Sequence, residues 1–455
     1  MDTNRTRVSQ PSRFPESATP KPSKTRWFVL LLLSLMYMIT YMDRTGISIA
    51  APAMAKEFRL SQTSVGLMFS VFLWAYAIGQ IPLGWLADRF GPRLVLLTIV
   101  PVWSLLTGMT AIASGLASLV GIRSAFGLAE AGAFPTATRA MQLWFPKSER
   151  GIVHGVTHSF SRFAVAIVPF IAVSIMIAFG WRWIFYAFGV MGLLWSAAFY
   201  FLYQNLPEEH GKVNRSELAH IRGRNPDGAI ATVNLHRHLA PPWRVIFRSP
   251  NMWYIAAGYC CFYYGTYFYV TWFPAYLLEY RHLSLKALGT LASLPLLAGM
   301  VADVVGGTLT DTVYRKTGKL KFARRIVAAP AMLISGVFLI PAAMAHSVWM
   351  AILCLTASLF FLELVISPSW AVPMDVGGQY SGTVSGIMNM AGSLAASLSP
   401  IIFGFLVQRG FWITPFFISA GVLLTGALIW TFLIDPERSV VEGVVPRIPN
   451  LVGKA

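Results

Sequence analysis

Along nearly the whole chain, apolar runs of bilayer length alternate with shorter polar stretches. The runs fall at 27–50, 64–87, 94–113, 116–143, 150–178 and 182–204, and after a polar interval at 251–278, 287–310, 326–345, 348–373, 381–407 and 412–434. A bilayer core takes about 20 apolar residues per helix. Hydrocarbon offers no partner to an unpaired backbone group, so each run is expected to be a helix. A β-barrel would show alternating segments of about ten residues instead. The pattern predicts an all-α polytopic membrane protein with twelve transmembrane helices. Its parts are an N-terminal tail (1–26), a six-helix bundle (27–204), a central loop (205–250), a second six-helix bundle (251–434) and a C-terminal tail (435–455).

Composition agrees. Only 12% of the 455 residues are charged, about half the share in a soluble domain, so lipid covers most of the surface. If both termini are cytoplasmic, the outer side carries only Lys56, Arg59, Arg182, Arg281, Lys286 and Arg409 out of 36 lysines and arginines. Most of the others lie on the inner side, a strong positive-inside bias. The net charge of +17 therefore reads as topology and contact with anionic lipid, with no nucleic-acid partner. The expected location is the cell's inner (plasma) membrane, multi-pass. Residues 1–26 have no apolar core and read as a solvated tail, not a secretory signal.

Other chemistry has little support. Cys260, Cys261 and Cys354 all lie within spans at no metal-ligand or redox spacing, and they read as packing residues. There is no phosphate-binding loop, no metal-ligand cluster and no nucleophile with its base. The chain reads as a non-enzyme with no cofactor and no metal.

The two halves are related. Gly84-Trp-Leu-Ala-Asp88-Arg89-Phe-Gly91-Pro-Arg93 follows the second span, and Gly307-Thr-Leu-Thr-Asp311-Thr-Val-Tyr-Arg315 follows the eighth. Asp88 and Asp311 lie 223 residues apart, and the same offset carries Leu60-Ser61 onto Leu283-Ser284 and Gly66 onto Gly289. Six spans separate the copies, so both halves point the same way, a parallel repeat about the membrane normal. The segment from Gly84 to Arg93 resembles the loop signature of the major facilitator superfamily, and the second copy and twelve spans fit that family over nearly the whole chain. The resemblance implies two pseudo-symmetric six-helix bundles. An acid at a helix end beside basic residues can latch helices across one face, and Asp88, Arg89, Arg93, Asp311 and Arg315 are expected to gate in this way.

Ionisable groups at membrane depth are costly and mark function by default. The first span contains Tyr41-Met-Asp43-Arg44, the fourth Arg123, Glu130 and Arg139, and the fifth Arg162. Arg123 and Glu130 are two turns apart on one helix face. A surplus of guanidinium suits an organic anion, since its planar fork fits a carboxylate. Glu130, balanced between burial and a neighbouring arginine, suits proton coupling. The alternative is that Arg123–Glu130 and Asp43–Arg44 are static pairs between helices.

The set Tyr41-Met-Asp43-Arg44, Gly79-Gln-Ile-Pro82-Leu-Gly84-Trp, Phe134-Pro135 through Arg139 to Trp144-Phe145-Pro146, Trp272-Phe-Pro274 and Asn389-Met-Ala-Gly392 resembles the anion:cation symporter branch of the superfamily. That branch includes bacterial sugar-acid:proton symporters, such as carriers of D-galactonate. The resemblance implies that Arg44 contacts a substrate carboxylate and that Glu130 and Asp43 take part in protonation. It also implies that Arg123 tunes Glu130 and that Tyr41, Tyr76, Trp370 and Asn389 line the pocket. Arg162 departs from the galactonate carriers, which are uncharged there, and this opens the substrate's identity.

The seventh span is rich in tyrosine, and the 223-residue offset sets Thr266 and Tyr267 opposite Asp43 and Arg44. Tyr267 is expected on the neutral wall of the pocket, although such tyrosines also serve as interface anchors. Glu130 precedes Pro135 by five residues, and Glu363 precedes Pro368 by the same spacing. Glu363 is therefore expected to be the second-half mate of Glu130. No basic residue precedes it in its span, so it is expected to carry a proton and donate to a substrate hydroxyl or a backbone carbonyl; the alternative is packing against another helix. The chain then reads as a monomeric carrier coupling protons to a small organic anion, a sugar acid or other hydroxy-carboxylate. An aromatic carboxylate, a sulfo-acid or a transporter-like solute sensor are the alternatives.

Overall fold

The computed structural model describes residues 21–223, 230, 241–273, 276–283, 291 and 293–441. Ser284, Lys286, Gly289 and Pro274, and most of both tails, lie outside the described residues. Ten helices are long and apolar enough to cross a membrane. The fourth and seventh passes make the number up to twelve among the described residues. The fourth is a pair of half-helices, Leu116–Glu130 and Ala133–Trp144, and the seventh is Pro250–Thr271. Ile78, Phe170, Ile177 and Phe201 stand exposed on the outer surface, where lipid accounts for apolar side chains that water would not.

Several predicted spans change shape. The first runs further than expected, Thr25–Glu57, so Arg26 belongs to the helix and not to the tail. The tenth is broken, Val348–Glu363 and Ile366–Val376, as the fourth is. Each break follows directly after a glutamate and precedes a proline. Proline has no N–H to give the carbonyl four residues back and its ring crowds that carbonyl, so Pro135 and Pro368 interrupt both helices at the same point of the repeat. The central segment contains two short helices, Arg215–Arg222 and Trp243–Arg248. Arg26 fastens the first of these to the bundle through Glu149 at 3.0 Å and Glu217 at 3.1 Å.

The halves meet along two seams. The fifth span, Arg150–Phe179, packs on the eighth, Ser293–Thr317, and the second, Gln62–Phe90, packs on the eleventh, Ser381–Gln408. Glycines allow the close approach. A Cβ on Gly84 would press into the Gly382 carbonyl, and one on Gly307 into the Gly151 carbonyl.

Each seam is latched at one end. Asp88 accepts hydrogen bonds from the Gly382 and Thr383 N–H groups at 2.9 and 2.6 Å and from the Thr383 hydroxyl at 2.7 Å. Asp311 accepts from the Gly151 and Ile152 N–H groups at 3.0 and 2.7 Å. In both, an aspartate near the end of one half's helix takes first-turn N–H groups of the other half's helix, donors with no partner in their own helix. Arg89, Arg93 and Arg315, expected in the same gate, stay within their own halves in the contacts described. Arg93 binds Gln204 and the Tyr200 carbonyl, Arg89 lies over Trp85, and Arg315 reaches Thr312. The guanidiniums that meet the aspartates are Arg139, 3.7 Å from Asp88, and Arg324, 2.9 Å from Asp311. Asp375 joins Arg324 to Arg150 across the halves at 3.1 and 2.8 Å.

Candidate functional site

On the side away from the latches, a cavity of about 330 Å³ lies between the halves, lined by Arg44, Arg123 and Arg162 with Tyr41, Tyr263, Thr266 and Tyr267. Three of the predicted arginines therefore share one chamber. Arg44 leaves the first span into an aromatic nest, its guanidinium 4.5 Å from the Tyr76 ring centre and 5.2 Å from that of Phe72. Its Nε donates to Glu130 Oε2 at 3.1 Å. Glu130 is fully buried at the end of the first half-helix of the fourth span. Arg123 shares the Phe72 ring, at 4.6 Å, and its Nε has no hydrogen-bond partner among the described residues. Asp43 is buried behind this group with neither carboxylate oxygen hydrogen-bonded among the described residues, and Glu130, Arg123 and Arg44 are its charged neighbours. Cation–π contacts of this kind contribute about 2 kcal/mol when desolvated, so the rings hold both guanidiniums without neutralising them.

The remaining predicted residues sit behind the cavity wall. Asn389 donates to the Tyr76 hydroxyl at 3.3 Å across the halves. Trp370 donates to the Tyr259 hydroxyl at 3.0 Å. It is the centre of a buried aromatic floor with Phe134, His154 and His158. Glu363 is 1% exposed and absent from the cavity lining. The lone, proton-donating carboxyl expected there gives way to an ion pair, because Arg162 of the first half donates from Nη2 to Glu363 Oε1 at 2.6 Å. The cation absent from its own span is supplied across the interface.

Sequence reasoning missed three residues of this region. Asp303, on the eighth span, is fully buried 4.0 Å from Arg162, and neither of its oxygens is hydrogen-bonded among the described residues. His154 and His158 lie one turn apart on the fifth span, both buried. An ionisable side chain inside an apolar run was the signal for all three.

Comparison with known proteins agrees with this architecture. The profile of the Major Facilitator Superfamily matches residues 33–400. The chain is 40% identical over 411 residues to a probable sulfoacetate transporter of Cupriavidus necator, covering 90% of this chain and 94% of that one. It is 31% identical over 442 residues to a probable galactarate/D-glucarate transporter of Bacillus subtilis, covering 93% and 96%. In fold it is similar to the fucose:proton symporter of Escherichia coli, with a TM-score of 0.67 at 14% identity over 90% of this chain and 99% of that one. The profile match, the full-length relatives and the twelve-pass repeat together place the chain in the Major Facilitator Superfamily, to which it belongs.

Proposed function

We propose that this protein, a secondary transporter of small organic anions and not an enzyme, moves its substrate together with protons. The observation that carries this reading is the Arg44–Glu130 pair at the cavity wall, 3.1 Å long with the carboxylate fully buried. An anion entering the cavity competes with Glu130 for Arg44, whose planar fork matches a carboxylate or sulfonate. A buried carboxylate that loses its cation takes up a proton, since an uncompensated charge in a dry site is the costlier state. Substrate and proton then cross together as the halves rock about the fixed site. Asp43, buried and unpaired behind the same arginines, is a second proton site. Tyr41, Tyr76, Tyr267, Trp370 and Asn389 shape the pocket, and Asp88 and Asp311, with Arg139 and Arg324 beside them, form the gate. The latched face is the cytoplasmic one, both termini lie on that side of the plasma membrane, and the carrier works as a monomer in the lipid bilayer.

A sugar acid or other hydroxy-carboxylate suits the hydroxyls of Tyr263, Thr266 and Tyr267 facing the arginines. A sulfo-acid is the second reading, favoured by the relative of 40% identity named for sulfoacetate. Uptake of either class into proteoliposomes is expected to rise with an inward proton gradient and to lose accumulation under a protonophore. Uptake that ignores the proton gradient and follows sodium overturns the coupling.

A further inference from the structure

The cavity's three arginines are held in two different ways. Arg44 and Arg123 converge on one ring, that of Phe72, and their acidic neighbours Glu130 and Asp43 belong to the same half. Arg162 stands apart on the fifth span, and its acidic neighbours Glu363 and Asp303 both come from the second half. The first group balances two guanidiniums against two carboxylates. The second has one guanidinium for two carboxylates, and Asp303 and the Oε2 of Glu363 have no hydrogen-bond partner among the described residues. Arg162 also lines the cavity, so a ligand can reach it from the open side while Glu363 holds it from behind. The same wall also carries neutral hydroxylated side chains, Tyr263, Thr266 and Tyr267. The volume, about 330 Å³, is near the low end of small-molecule sites. A chamber with two separately held cation groups and hydroxyls in its wall is matched to a short molecule with an acid at each end.

We propose that the substrate is a short dianion, one acidic group seated between Arg44 and Arg123 and the other taking Arg162 from Glu363. This rests on the organic-anion reading above and narrows it by charge. A monoanion satisfies the first group alone and leaves Arg162 paired with Glu363. A dianion exchanges the internal ion pair, which ties the two halves at mid-depth, for one carried by the substrate. Arg162 is then the residue that distinguishes two acidic groups from one.

The test uses purified full-length protein and four probes: sulfoacetate against acetate, and galactarate against D-galactonate. Dissociation constants come from the dependence of the melting temperature on ligand concentration. Wild type is expected to bind the dianion of each pair about tenfold tighter, the worth of one charge-assisted contact. Arg162→Gln is expected to erase that preference, bringing the two affinities of each pair together. Glu363→Gln, which removes the internal competitor and leaves Arg162 in place, is expected to raise the ratio of dianion to monoanion affinity, a ratio that a shift between the two faces leaves unchanged. Equal binding of dianion and monoanion by wild type overturns the inference and leaves the organic-anion reading standing. So does a preference that survives in Arg162→Gln, or an unchanged ratio of dianion to monoanion affinity in Glu363→Gln. Stabilisation by none of the four anions overturns both.

Discussion

The fourth and tenth spans break at the same point, directly after Glu130 and Glu363, yet the two glutamates are paired on opposite principles. Glu130 is held by Arg44 of its own half, and Glu363 by Arg162 of the other. The duplicated backbone has kept the break and the acid and has lost the symmetric cation: among the described residues, every lysine and arginine of the second bundle lies near a helix end. Glu130 can keep its cation while the halves move apart. Glu363 keeps Arg162 only while the halves touch. A repeat that is symmetric in backbone is thus asymmetric in charge, and that asymmetry makes one carboxylate local and the other a tie between the moving bodies.

The largest effect is expected where this difference is broken directly. Glu130→Gln should abolish proton-driven accumulation yet keep exchange of internal for external substrate, because a neutral amide mimics the protonated acid and exchange needs only the loaded carrier to reorient. It should leave the balance between the two faces unchanged. Glu363→Gln should shift that balance by about tenfold or less, since it removes one ion pair between the halves and leaves Arg162 beside Asp303. The readout is thiol labelling at Ser48→Cys, which lines the cavity: labelling should fall in the Glu363 variant and hold in the Glu130 variant. Equal loss of accumulation and exchange in Glu130→Gln would make its pair with Arg44 structural.

Next come the latches, where the halves are alike. Gly84 faces Gly382 and Gly307 faces Gly151, and a methyl at either glycine meets backbone, which cannot move aside as a side chain can. Gly84→Ala and Gly307→Ala should each weaken closure of the latched face and slow uptake by about tenfold, with Ser48→Cys labelling reduced in both. A strong effect from one and none from the other would show that a single seam controls the gate.

The sequence carried the fold and half of the site. Apolar run length, the Asp88/Asp311 repeat and the Glu–Pro spacing could be read because each is a local pattern. Arg44, Arg123 and Arg162 could be picked out as costly residues in apolar runs. What could not be read was pairing across the interface, which depends on the depth and rotation of helices far apart in sequence. For that reason Glu363 lacked its arginine, Arg139 and Arg324 went unrecognised as partners of the latch aspartates, and Asp303 was passed over. Arg324 counted only as a positive charge on one side of the membrane, though its side chain is fully buried between Asp311 and Asp375.

The smallest effect concerns the breaks themselves. Pro135 and Pro368 account for the interruption in sequence terms, but packing also holds it. Gly132, inside the first break, lies against Leu83 and Ile99, and Gly306 lies against the Leu364 backbone at the second. Backbone bonds bracket the breaks, with Thr136 N–H donating to the Gly132 carbonyl at 3.0 Å and Val365 N–H donating to the Leu362 carbonyl at 3.0 Å. Replacing either proline restores one donor in a place where the surrounding helices already fix the bend. Pro135→Ala and Pro368→Ala should therefore each change stability by less than about 1 kcal/mol, within the range of substitutions that create no cavity and bury no unpaired charge. Uptake should fall by no more than a few-fold in either, measured beside melting temperature in the same preparation. A tenfold loss in Pro135→Ala with none in Pro368→Ala would mean that the proline, and not the packing, sets the position of Glu130 against Arg44. The two breaks would then share a sequence pattern without sharing a cause.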